Sequence, residues 1–224
     1  MSTLFNSARV QRAIMLVVFL GLVVGSPPAD AKQKRPQSIE MTGIQSFDKV
    51  FRKAKEANRD LQSAERNVRK SKNALRKALK LGKKATYVEG LRELKQRAKG
   101  KISVAMQGGV PTLRAREAVP SDVLAGIKAV NTLSKSIPAS LRDMKRVTSS
   151  STAMYKRAKN FPRNIQAELA SKGTNGLVAV IFKAPKIAKT TVRNLRIMST
   201  LPKRSASVSR DLGQISNAIR KTFK

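Results

Sequence analysis

The stretch 46–82 constrains the fold more than any other. Apolar or small residues recur there at Phe47, Val50, Ala54, Ala57, Leu61, Ala64, Val68, Ser71, Leu75 and Ala78. The steps between them alternate three and four, the heptad spacing of a helix that turns one seam toward a partner. Almost everything off the seam is polar, and most of the charge is positive. About 35 residues of such a helix measure about 53 Å at 1.5 Å per residue. Ser46 is placed as its N-cap, Asp48 in its first turn near the positive end of the dipole, and Gly82 as its C-terminal stop. The seam alternates bulky and small side chains. It therefore suits close antiparallel packing, either on another helix of this chain or on a second copy of the chain in a coiled coil.

A second helix is signalled at Thr86-Tyr87-Val88-Glu89, which fits a capping box with Thr86 at N-cap and Glu89 at N3. The short link before it predicts that this helix folds back on the first as an αα-hairpin covering 46–107. Ile102, Val104 and Met106 alternate in the manner of a strand, but the reading followed is helix to about Met106. Gly108-Gly109 then breaks the pattern as a turn between helical hairpins. Helices follow from Pro120, ended or kinked at Pro138, and from Pro138 into a Thr148–Thr152 tract suited to a cap or hinge. Phe161-Pro162 restarts the helix. Leu-Val-Ala-Val-Ile-Phe at 177–182 reads as a buried turn, since six residues cannot cross a bilayer. An amphipathic helix over 185–201 closes at Pro202, and a last helix covers about 205–223. The predicted class is all-α: an elongated helical bundle of about six to eight helices, with 108–224 packing on the long N-terminal hairpin.

The N-terminus has the layout of an export signal. Arg9 and Arg12 precede an apolar run at 13–24, Pro27-Pro28 follows, and Ala29-Asp30-Ala31 is a small-residue cleavage site. The apolar run spans about 18 Å as helix, well short of a roughly 30 Å hydrocarbon core. A cleaved signal peptide over 1–31 is expected, then a flexible basic linker over 32–45, and an extracytoplasmic location, periplasmic or secreted. No span of the chain left after cleavage is long enough to be a transmembrane helix.

Charge and missing residue types narrow the chemistry. The chain carries 47 Lys and Arg against 13 Asp and Glu, a net charge of +34, and has neither His nor Cys. Thiolate chemistry, a zinc cage and the usual acid–base imidazole are thereby removed. Serines are numerous, but none lies in a nucleophile-elbow motif and no His could activate one. Glu89 and Glu93 share a helix face, yet on a basic helix such a pair serves capping and charge balance. The expectation is a protein that is not an enzyme and needs no cofactor or metal.

What remains is basic clustering. One acid-free window, between Glu65 and Glu89, holds Arg66, Arg69, Lys70, Arg76, Lys77, Lys80, Lys83 and Lys84. A second, between Glu168 and Asp211, holds Lys186, Lys189, Arg193 and Arg196 on one face of a helix. Lys and Arg fixed on helices match repeating phosphates, sulfates or carboxylates. If the two windows lie side by side they make one continuous basic face. The function read from this is non-catalytic binding of an anionic envelope surface or polyanion: lipopolysaccharide, acidic lipid or anionic polysaccharide. The alternatives are a structural protein assembling as a homo-oligomer through the 46–82 helix, and a non-specific nucleic-acid binder. Few aromatics are available for base stacking, so that last role would run through phosphates.

Overall fold

The computed structural model describes residues 38–171 and 176–224, with 176–181 as backbone only. The expected signal peptide, the linker at 32–37 and the side chains of the 177–181 run lie outside that description. Among the described residues are five helices and one two-stranded sheet: α1 (Gln45–Ala78), α2 (Tyr87–Ala98), β1 (Ile102–Gln107), β2 (Val110–Ala115), α3 (Ser121–Ala158), α4 (Phe161–Ala170) and α5 (Gly176–Phe223). Three long helices carry the fold. The most extensive contacts are α1 on α3 and α3 on α5. Arg146 on α3 meets Asp60 on α1, and Ser71 Oγ on α1 donates to the Ala129 carbonyl on α3 at 2.9 Å. The chain order of these contacts makes α1 and α3 antiparallel. α5 returns alongside α1 in the same sense, with Asn194 beside Glu40 and Arg204 beside Glu65.

The heptad seam of α1 is filled by the chain itself. Phe47, Ala54, Ala57, Leu61, Ala64, Ser71 and Leu75 are all buried. Small residues on the partners allow close approach: Ser134, Ser140, Ser151 and Ala158 on α3, and Thr191 and Ser205 on α5. At one end Leu75 is wedged between two helical glycines. A Cβ on Gly90 of α2 would fall 2.8 Å from Leu75 Cδ2. One on Gly126 of α3 would fall 2.8 Å from Leu94 Cδ1 and 3.6 Å from Leu75 Cδ1. At the other end Phe161 opens α4, stacked on Phe47 (centroids 4.0 Å apart, 3° between planes) and edge-on to Phe51.

Residues 38–44, expected as linker, are part of this core. Ile39 and Ile44 are buried, and Asp48 accepts from the N–H groups of Thr42 (2.7 Å) and Gly43 (3.0 Å). The N-cap is thus Ile44, and Ser46 lies inside the first turn. Asp48 reaches back along the chain to the N–H groups that precede the helix, and no side chain caps the first turn itself.

The helix expected up to Met106 is instead a β-hairpin, with Gln107 paired to Val110 and Ile102 to Ala115. Gly108 and Gly109 both have positive φ (59° and 78°), the requirement of a two-residue type I′ turn. The alternation at Ile102, Val104 and Met106 was therefore the governing signal. Asn131 of α3 covers the free edge of β2. Its Oδ1 accepts from Leu113 N at 2.8 Å and its Nδ2 donates to Leu113 O at 2.9 Å. Asn194 of α5 holds the 38–44 segment the same way, through both backbone groups of Glu40.

Several expected breaks do not occur. Pro138 lies within α3, and Pro185 and Pro202 lie within α5. Pro138 and Pro185 themselves sit on exposed positions, so neither ring has to be fitted into a helix contact. The Thr148–Thr152 tract is helical throughout, and four of its five hydroxyls bond back one turn. Thr148 donates to Met144 O, Ser149 to Lys145 O, Ser150 to Arg146 O and Thr152 to Thr148 O.

The end of α1 is also displaced from Gly82. Lys80 takes the left-handed conformation (φ 53°), with Lys80 N donating to Lys77 O and Leu81 N to Arg76 O. This is the Schellman pattern, with a lysine where glycine is usual. Left-handed backbone costs a residue with a Cβ roughly 1–2 kcal/mol. Lys80→Gly is therefore expected to raise stability by about 1 kcal/mol, once the looser unfolded chain is counted. Leu75→Ala should cost about 2–5 kcal/mol, because the glycines beside it cannot fill the hole. Urea unfolding checks both: opposite shifts of the midpoint at unchanged slope are expected, and a destabilising Lys80→Gly would contradict the capping assignment.

Candidate functional site

The acids among the described residues are few, and nine of the twelve are held in place. Among the described residues, Glu40, Asp60, Glu65, Glu93, Glu117, Asp122 and Asp143 are in ion pairs. Asp48 binds the backbone before α1, and Glu89 closes the capping box at Thr86. Different acids join different elements. Asp60–Arg146 (2.8 Å) ties α1 to α3, Glu65–Arg204 ties α1 to α5 through two nitrogens, and Glu40–Arg193 (2.9 Å) ties the lead-in to α5. Arg97 is the busiest cation. It donates to Glu93 (2.7 Å), to Asp122 (2.8 Å) and to the carbonyl of Leu79 (3.0 Å), joining the ends of α1, α2 and α3. Only Arg97, Lys101, Arg146, Arg193 and Arg204 are in ion pairs among the described residues. The other lysines and arginines there have no carboxylate partner.

The two basic windows are placed apart. Arg66, Arg69, Lys70 and Lys77 are exposed on the second half of α1, and Lys80, Lys83 and Lys84 are exposed in the turn that follows. Arg76 is half-buried and donates to Asn73 Oδ1. Lys186, Lys189, Arg193 and Arg196 are exposed on the first half of α5. α1 and α5 run the same way, and the Glu65–Arg204 pair lies between the windows. The α5 window thus lies beside the start of α1, and the α1 window lies toward α2. One continuous face across both does not form.

A different grouping does form where α2 meets the end of α5. Two adjoining clefts share Lys95. The first, about 190 Å³, is lined by Lys95, Arg116 and Lys224 with Ala98, Gly100, Ile102 and Phe223. The second, more open, is lined by Arg92, Lys95 and Lys221 with Val88, Ala218 and Thr222. No acid lines either cleft. These cations fall outside the two acid-free windows: Arg92 and Lys95 flank Glu93, Arg116 adjoins Glu117, and Lys221 and Lys224 follow Asp211. Glu93 and Glu117 are themselves bound to Arg97 and Lys101. Helical spacing could have found Arg92 and Lys95, which fall one turn apart on α2.

Titration follows from the same contacts. The hydrogen bond from Arg97 holds the Asp122 carboxyl below its ordinary value, aided by the Val123 N–H, while burial opposes the shift. Arg97 is raised, first by its hydrogen bond to Glu93 and then by that to Asp122. Burial pushes the Tyr87 hydroxyl up to about 12, with Ser71 pulling weakly the other way. Among the described residues no three His, Cys, Asp or Glu gather where a metal ion could be held. No helix there is long and apolar enough to cross a membrane. Comparison of the chain with protein-family models, with curated proteins and with solved structures finds no match.

Asp122 titrates at a lower pH folded than unfolded. Its pair with Arg97 therefore stabilises the fold above the ordinary value of 3.8, and that contribution is lost as pH falls through the folded-state value. Asp122→Asn should lower the urea midpoint at pH 7, and the gap from the parent chain should close on acidification below about pH 4. A gap that stays constant down to pH 2 would contradict the assigned role.

Proposed function

We propose that this chain is an exported, non-catalytic protein that binds an anionic envelope surface or polyanion through cations displayed on an elongated helical bundle. The observation that carries the reading is the asymmetry of pairing. Seven of the acids are in ion pairs and two more at helix starts, leaving most cations turned to solvent without a carboxylate. A surface needs far less charge than this for solubility. Unpaired Lys and Arg on rigid helices bind phosphates or sulfates with little reorganisation, and Arg adds a two-pronged fit.

The cleft cations, Arg92, Lys95, Arg116, Lys221 and Lys224, supply the concave part of such a surface. Lys80, Lys83 and Lys84 in the α1–α2 turn supply an exposed flank that leads from the same helix. The export signal read at 1–31 puts the protein where lipopolysaccharide, acidic lipid and anionic polysaccharide are met. An assembly role through the seam of α1 has less support, because that seam is buried within the chain.

Salt dependence is the test. Binding to heparin, lipopolysaccharide, double-stranded DNA and acidic vesicles is measured from low to physiological salt. One ligand retained clearly above the others is expected. Lys83→Glu, Lys84→Glu and Lys95→Glu, combined, should weaken it and flatten log K against log salt by about 0.9 per contacting cation on DNA. Uniform loss of all four ligands by physiological salt would make the charge mere surface character.

A further inference from the structure

Phe182 is the most exposed large apolar side chain among the described residues, at 76%. It stands on α5, and the residues that follow it are sharply divided. At 100° per residue, Lys186, Lys189, Arg193 and Arg196 fall within about 40° of Phe182. Ala184, Ile187, Thr191 and Asn194 fall on the far side and are buried. The exposed stripe is therefore one phenylalanine followed by four cations over about 21 Å of straight helix. No acid occurs on α5 before Asp211. Among the described residues, the one carboxylate paired to the stripe is Glu40, on Arg193.

We propose that this stripe docks on the surface of an anionic lipid bilayer. The argument is the combination of groups. A sulfated or phosphorylated polymer would match the four cations but offer nothing to Phe182, whose ring stays in water. A bilayer interface accepts both, with headgroup phosphates for the Lys and Arg ends and the acyl boundary for the ring. The lysine stems add apolar surface while their ammonium groups remain at headgroup level. A flat membrane also fits a stripe that keeps to one side of a helix, whereas the clefts at the α2 end suit a narrower anion. The inference rests on the reading above for the direction of charge only, and it assigns the α5 stripe a partner different in form from that of the clefts.

The chain has no tryptophan, so Phe182→Trp places a single reporter at an exposed position. Full-length protein carrying this change is mixed with three probes: phosphatidylglycerol–phosphatidylcholine vesicles, pure phosphatidylcholine vesicles, and heparin. Blue-shifted emission and quenching by brominated acyl chains are expected with the anionic vesicles alone. Adding Lys186→Glu and Lys189→Glu should abolish both signals. Leu124→Trp, an exposed site at the α2 end, should give neither. The proposal is overturned by any of four results: no quenching with anionic vesicles, an equal shift with heparin, a signal that survives the double lysine change, or an equal signal from Leu124→Trp. Heparin retention of the same protein is read separately, so failure of lipid docking and failure of polyanion binding are distinguishable.

Discussion

A net charge of +34 on 224 residues sets the terms for everything else in this molecule. Like charges on a compact body repel, and the repulsion grows as the chain condenses. Two features oppose it. The apolar seams of α1, α3 and α5 bury Phe47, Leu61, Leu75, Leu133, Met144, Leu201 and Leu212 with little exposure. The carboxylates are placed where helices meet. The Asp60–Arg146, Glu65–Arg204 and Glu40–Arg193 pairs are partly exposed, and pairs of that kind contribute only about 0–1 kcal/mol each. Their value is local. Asp60 and Glu65 each put a negative charge between two basic helices, and Glu40 puts one between the lead-in and α5.

Small residues let the charged helices approach. Three helices crowded with Lys and Arg can approach only if the contact line is narrow, and here it is built of Ala, Ser, Thr and Gly between larger anchors. Ser205 and Thr148 share a hydrogen bond of 2.7 Å across α3 and α5, and Ser71 donates to the α3 backbone. Side-chain amides extend the same economy of space to irregular backbone. Asn131 and Asn194 each hold one extended segment by its N–H and its C=O. The long basic side chains are thereby left outside, where their stems can lie along the helix surfaces.

The helical class was legible because the seam of α1 keeps a strict three–four alternation from Phe47 to Ala78, and because Thr86 and Glu89 announce α2. Breaks were harder to read, since a break depends on what surrounds it. Pro138 ends no helix, and Ser134, Ile137, Ser140 and Met144 on either side of it stay buried. Lys80 rather than Gly82 takes the left-handed position, because Leu81 has to turn back onto Arg76 O. At Gly108-Gly109 the turn chemistry outweighed the helical reading. Two glycines between alternating apolar positions are a hairpin signal, and the flanking residues follow it. On the surface, the cations named in the two windows are exposed apart from Arg76, and their relative placement depends on α5 running parallel to α1. Phe182 belonged to a run expected to be buried, and its exposure could not be read from an apolar neighbourhood.

In the function proposed, folding organises the cations into a binding surface, so that a polyanion prefers the folded chain to the unfolded one. The direct measurement is the thermal midpoint against rising concentration of a heparin oligosaccharide of defined length, at physiological salt. A ligand that favours the folded state stabilises it by RT ln(1 + [L]/Kd), about 2.7 kcal/mol at one hundred times Kd. The account predicts a midpoint that climbs with the logarithm of ligand concentration. A midpoint that stays level or falls would show that the unfolded chain binds as well, and that the charge carries no folded site.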